Sequence, residues 1–307
     1  MTAFIRTGIL TGLLTGLLTI AAPLGAAEYQ LYFLGGQSNM EGYGKVAELP
    51  AGMSGAVEGV RIFNGRIAED GAAGGGAGLW APLEPGHGTL YRTDGTQQEL
   101  SDRFGPELPF GRRLGELEPG ARVALIKYAK GGTSLLEGGS GYGNWEPDSE
   151  LGGGINQYDH ALATLREALA VRDIDGDGED DTLTPAGIVW MQGEADAYDN
   201  PVAARAYRAN LKRMMDLLRA ALRRDDLPVV LGRIVDSGRD DDGLLMDFSP
   251  DVQRAQAEYA AADRCAALVD VSDGIGWTDD WHYDTASYLR LGRAFADAMH
   301  DLQQSCL

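Results

Sequence analysis

The chain predicts an α/β fold: a parallel β-sheet with helices on both faces. Three observations carry this. Apolar runs of strand length recur at Tyr29–Leu34, Arg122–Tyr128, Pro185–Met191, Leu227–Ile234 and Ala266–Val271. Between them lie segments with apolar residues at helical spacing. Three of the runs end in glycine or amide residues rather than in further apolar sequence. Alternation of strands and helices implies parallel pairing with both faces covered. No internal repeat or linker interrupts residues 28–307, which read as one domain.

Taken in order, residues 1–27 form a leader. Arg6 is followed by the apolar run Ile9–Pro23 and the small residues Gly25-Ala26-Ala27, the pattern of a secretory signal peptide. The run is too short and too interrupted to span a bilayer, and no later segment could do so. A secreted or periplasmic protein is expected. The first strand, Tyr29–Leu34, ends at Gly35-Gly36 and leads into Gln37-Ser38-Asn39-Met40. Ligands of open α/β sheets bind at the carboxyl ends of strands, so Ser38 stands where a nucleophile would. Ser and Asn also favour helix N-caps, which is the alternative for this stretch.

Residues 45–104 carry little pattern apart from a possible strand at Val60–Asn64. Trp80 and Trp145 lie in glycine-rich surroundings and are either a sugar-stacking rim or packing under loops. Pro106–Leu117 is a helix, and Arg122–Tyr128 a strand that exits into Gly131-Gly132-Thr133-Ser134. Glycine there allows a backbone N–H to approach a substrate oxygen. Tyr158–Val171 is an amphipathic helix. Asp173, Asp175, Asp177 and Gly178 then open like a calcium loop, but Thr184 stands where a bidentate Glu is needed. The segment reads as a solvated acidic loop, with a Ca²⁺ site at Asp173, Asp175 and Asp177 as the alternative. Pro185–Met191 is a strand with the polar exit Gln192-Gly193-Glu194-Ala195-Asp196. Helices at 201–224, Asp251–Ala262 and Tyr288–Leu302 and the last two strands complete the alternation.

Composition excludes several classes. The net charge is −20, which disfavours nucleic acid and anionic membrane surfaces, since both need clustered Lys and Arg. A neutral substrate is compatible. The two cysteines, Cys265 and Cys306, are expected to form a disulfide in an exported chain.

Of the four histidines, His160 and His300 fall in helices or at their ends and His87 in a Gly-Pro loop, whereas His282 sits just past the last strand with the carboxylate of Asp279 three residues before it. A serine nucleophile needs a base, and the base an orienting acid. Ser38, His282 and Asp279 supply all three.

Gly36-Gln37-Ser38-Asn39-Met40, Gly131-Gly132-Thr133, Trp190–Asp196 and Asp279-x-x-His282 resemble successive blocks of the SGNH hydrolase superfamily. More narrowly, they resemble its sialate O-acetylesterase/acetylxylan esterase branch. The resemblance implies a three-layer αβα sandwich with a central five-stranded parallel sheet of the flavodoxin-like SGNH type. It also implies cofactor-free and metal-free release of acetate from an acetylated carbohydrate. Ser38 would attack, and the backbone N–H groups of Ser38 and Gly132 with the Gln192 amide would hold the oxyanion. Gln37, Asn39, Gly131, Glu194 and Trp145 are expected beside the reacting groups, touching substrate or bracing loops, with Asp196 also a brace. The alternatives are an esterase for other acyl esters and a carbohydrate-binding protein without turnover.

Overall fold

The computed structural model describes residues 26–306. The expected leader lies almost wholly outside the described residues. A seven-stranded sheet forms the middle layer. Its strands are β1 (Glu28–Gly36), β2 (Val60–Asn64), β3 (Trp80–Pro82), β4 (Arg122–Ala129), β5 (Thr182–Met191), β6 (Val229–Gly232) and β7 (Ala266–Val269). They lie side by side as β7-β6-β5-β1-β4-β2-β3, all parallel except β3, which runs antiparallel to β2 at one edge. The sheet is thus wider than the five strands expected. Val60–Asn64 joins it, and Trp80–Pro82 adds an edge too short to leave a periodic signal.

The helices are α1 (Ser38–Glu41), α2 (Glu107–Leu117), α3 (Gln157–Ala170), α4 (Glu194–Ala197), α5 (Pro201–Ala221), α6 (Ser249–Ala262) and α7 (Thr285–Cys306). Alternate residues of β4 show how the layers are divided. The Lys127 side chain reaches Glu107 on α2, whereas the next residue, Tyr128, reaches Gln157 on α3. α2 packs with α7 on the first face, and α5 packs with α6 over the second. Helix starts follow local chemistry. Asn156 and Asp159 form a reciprocal capping box at α3, and Asn200 caps α5 ahead of Pro201.

The central strand β1 is buried on both faces, with Leu31, Tyr32, Phe33 and Leu34 at most 1% exposed. It pairs with β4 on one side and β5 on the other. Gly36 is level with Ala129 and Met191 across these pairs, so the three strands end together. Strand order reverses at β1, which opens a crevice at their carboxyl ends.

A buried ion pair holds this end of the sheet, and a disulfide holds the opposite end. The Lys127 ammonium, 1% exposed as a residue, donates to Glu107, to the His87 carbonyl and to the Glu41 carbonyl, each at 2.8 Å. It therefore ties the end of α1 to the underlying layer; removing Glu107 would strand a buried charge, typically costing about 3–5 kcal/mol. Cys265 and Cys306 form a disulfide that joins the start of β7 to the end of α7.

Candidate active site

Ser38 is the first residue of α1, one turn beyond β1. The turn is tight because Gly36 has φ +146° and a Cβ there would run into the Met191 carbonyl. Gln37 N–H donates to that carbonyl at 2.9 Å, which fixes where Ser38 emerges.

Asp279 and His282 lie on the loop before α7. His282 Nδ1 is 2.8 Å from Asp279 Oδ2. Asp279 Oδ1 accepts the backbone N–H groups of Trp281 and His282, each at 2.8 Å, so one carboxylate shapes the loop and orients the ring. Burial works against its charge, but the His282 ring and these N–H donors outweigh it and hold the carboxyl below its ordinary range. The opposite face of the imidazole rests on Tyr43, with ring centroids 3.5 Å apart and planes 2° from parallel.

A cleft of about 900 Å³ contains Ser38 and His282 together with Gln37, Glu41, Tyr43, Gly131 and Gly132 in its walls. Among the described residues no hydrogen bond joins Ser38 to the His282 ring; both line the same cleft. Asn39 links their two segments. Its amide donates to Glu194 Oε1 at 2.8 Å and to the Trp281 carbonyl at 3.2 Å, and its Oδ1 accepts the Tyr288 hydroxyl at 2.8 Å. Burial raises the Glu194 carboxyl above its ordinary range despite the Asn39 bond.

Gly132 has φ +74°, and the ring of Tyr142 lies where its side chain would be. The backbone N–H groups of Ser38 and Gly132 have no acceptor among the described residues. Gly131 differs, since its N–H donates to Glu41 Oε2 at 3.0 Å. Lys130 Nζ donates to the Tyr142 carbonyl at 2.6 Å and pairs with Glu69 at 3.1 Å, holding the 138–142 loop beside the nucleophile.

Gln192 and Trp145, both expected at the site, do not reach the cleft. Gln192 is fully buried, and its Nε2 donates to the Thr133 carbonyl at 3.0 Å and to Asp196 Oδ2 at 2.6 Å. Gln192 thus has both amide hydrogens engaged inside the protein, and its Oε1 has no partner among the described residues. The amide holds Asp196, whose carboxyl burial pushes up to about 7 and which also accepts Leu135 N–H. Trp145 is likewise fully buried, edge-on to Trp190 at 5.0 Å, with its Nε1 donating to Thr133 Oγ1. It is core under the loop rather than a sugar platform. Trp80, on β3, donates to the Ala168 carbonyl and packs against Phe63.

The accessible aromatics are others. Tyr142 is 69% and Tyr198 46% exposed, and Tyr198 meets Trp281 edge-on at 5.2 Å across one wall. Each is a single aromatic in a glycine- or aspartate-rich loop, a signal that periodicity cannot detect. Asp173, Asp175 and Asp177 cluster as expected from their spacing. Asp175 Oδ2, however, already accepts from the Tyr29 hydroxyl and pairs with Arg122 at 2.9 Å.

Residues 28–301 match the family model described as carbohydrate esterase, sialic acid-specific acetylesterase. The chain belongs to this carbohydrate esterase family. It is accordingly a carboxylic-ester hydrolase of the carbohydrate acetylesterase type. Several solved structures share its fold. A protein from Arabidopsis thaliana is 20% identical with a TM-score of 0.60, covering 89% of this chain and 98% of that one. A carbohydrate acetylesterase from Xanthomonas citri is 17% identical with a TM-score of 0.59, over 90% of this chain and 56% of that one. NanS is 15% identical with a TM-score of 0.58, over 92% and 99%. No curated protein matches the sequence significantly.

Proposed function

We propose that this esterase is secreted and releases acetate from neutral O-acetylated glycans of the acetylxylan kind, through an acetyl-enzyme on Ser38. The observation that carries the mechanism is the His282–Asp279 pair facing the same cleft as Ser38. Ser38 Oγ attacks the acetyl carbonyl while His282 Nε2 takes its proton. Asp279 keeps the proton of the neutral ring on Nδ1 and stabilises the imidazolium once it forms. The carbonyl oxygen, now negative, lies against the Ser38 and Gly132 N–H groups. On collapse, His282 gives its proton to the departing sugar hydroxyl. Water then enters, gives a proton to His282 and attacks the acetyl-enzyme, which releases acetate and restores Ser38.

The charge of the cleft supports a neutral sugar. Glu41, Glu69 and Asp199 line it, and its lysine, Lys130, is already engaged by Glu69 and the Tyr142 carbonyl. A substrate carboxylate, as in a sialate, would meet acids, with no free Lys or Arg among the described lining residues to receive it. Tyr142, Tyr198 and Trp281 offer apolar ring surface for sugar faces instead. Secretion rests on the leader pattern and the Cys265–Cys306 disulfide. The test is acetate release from acetylated xylo-oligosaccharide against O-acetylated sialoside. The proposal expects kcat/KM at least about tenfold higher on the neutral substrate, an increment of 1.4 kcal/mol; preference for the sialoside would refute it.

A further inference from the structure

With Gln192 committed elsewhere, the oxyanion has two backbone donors and lacks a side-chain one. Gln37 directly precedes the nucleophile, is 3% exposed and lines the cleft. Its Oε1 accepts the backbone N–H groups of Gly193 at 3.3 Å and Ala195 at 3.2 Å. Those two donors fix which end of the amide is oxygen, because the flipped amide would set its NH₂ against two N–H groups. Nε2 therefore points away from them and has no acceptor among the described residues. The same argument fixes Gln192. Its flipped amide would set oxygen against the Thr133 carbonyl and the Asp196 carboxylate, so it cannot be turned to free its NH₂.

We infer that Gln37 Nε2 is the side-chain donor to the oxyanion, completing the set formed by the Ser38 and Gly132 N–H groups. This rests on the acetyl-enzyme reading given above. Its strength comes from preorganisation. The amide is held by its oxygen on the backbone that opens α4 and carries a donor that has no protein acceptor and is open to the cleft. The buried Gln192 then has a separate task, holding the Asp196 carboxylate under the Thr133–Leu135 segment.

The decisive variant is Gln37→Glu, which keeps an oxygen for Gly193 and Ala195 N–H while removing the donor. Its kcat should fall roughly 10²–10³-fold, as on loss of other oxyanion donors, with KM changed less than about threefold. Gln192→Leu should lower Tm, while the kcat of the folded fraction falls less than tenfold. A Gln37→Glu enzyme with kcat within threefold of the parent overturns the inference, as does a larger kcat loss in Gln192→Leu. Ser38→Ala separates this from the broader reading: loss of acetate release there with full activity in Gln37→Glu refutes only the role of Gln37. If Gln37→Glu does not fold, the unaltered enzyme inactivated with a diethyl phosphate ester decides by crystallography. The phosphoryl oxygen should lie about 2.7–3.1 Å from Gln37 Nε2. A phosphoryl oxygen bound by Gln192, or by neither amide, overturns the inference.

Discussion

His282 lies flat on Tyr43, its ring 3.5 Å from the phenol ring and 2° from parallel. With Asp279 on one edge and Tyr43 beneath, the imidazole has one hydrogen-bonded nitrogen and one supporting face, and its rotation is blocked. Stacking needs the ring rather than the hydroxyl. Tyr43→Phe should keep kcat within about threefold, whereas Tyr43→Ala should cost roughly 10–100-fold through loss of alignment. Steady-state rates on an acetyl ester check this; equal losses in the two variants would assign the effect to the hydroxyl.

Asp279→Asn tests the other support. The Asn oxygen can still accept the Trp281 and His282 backbone N–H groups, so the loop should persist. Its NH₂ would face Nδ1 and favour the wrong tautomer. A kcat loss of roughly 10²–10⁴ with an unchanged Tm is expected, measured by acetate release and thermal unfolding of the same preparation.

Stability should depend on pH through two buried groups of opposite sign. His87 is 1% exposed, faces Tyr91, and makes no ring hydrogen bond; burial and, secondarily, the Lys127 charge lower its pKa to about 3. The unfolded chain therefore takes up a proton at His87 below about pH 6.5 that the folded chain refuses, and stability is lost as pH falls through that window. Asp196 works the other way. Its folded pKa of about 7 exceeds the unfolded value, so the folded chain gains stability as pH falls from 7. His87→Leu should thus be favoured at pH 5 over pH 7.5 by roughly 2 kcal/mol, the linkage over that window. Asp196→Asn should make acidification more damaging. Tm at the two pH values reads both effects, and an identical His87→Leu effect at each would contradict the assignment.

The Cys265–Cys306 bridge closes a 41-residue separation. In the chain-entropy model such a loop stabilises by roughly 4 kcal/mol. The double Cys→Ser variant should show a clearly lower Tm yet retain its kcat at 25 °C, because the bridge lies at the end of α7 away from His282.

The strands that build the site were legible because each is a buried apolar run with a glycine or amide exit, and parallel pairing covers both faces. Trp80–Pro82 was not legible, being three residues long and closed by proline. Strand exits are where reading failed. Gln37 and Gln192 both follow a buried run, and the backbone path alone decides which amide meets the cleft. The Lys127–Glu107 pair was invisible for a similar reason: a lysine inside an apolar run gives no hint of the carboxylate twenty residues earlier in the chain. Trp145 resembled a binding residue by its glycine-rich company, yet its indole N–H finds Thr133 and its ring fills the core. The exposed Tyr142 and Tyr198 carried no pattern at all.

The most direct measurement is acetate release from acetylated xylo-oligosaccharide by the parent enzyme, Ser38→Ala and His282→Ala, with folding checked by Tm. The parent should turn over, and each variant should fall by at least about 10³-fold at unchanged Tm. Ser38→Ala retaining more than a few per cent of the parent rate would show that the acetyl group is not transferred to Ser38.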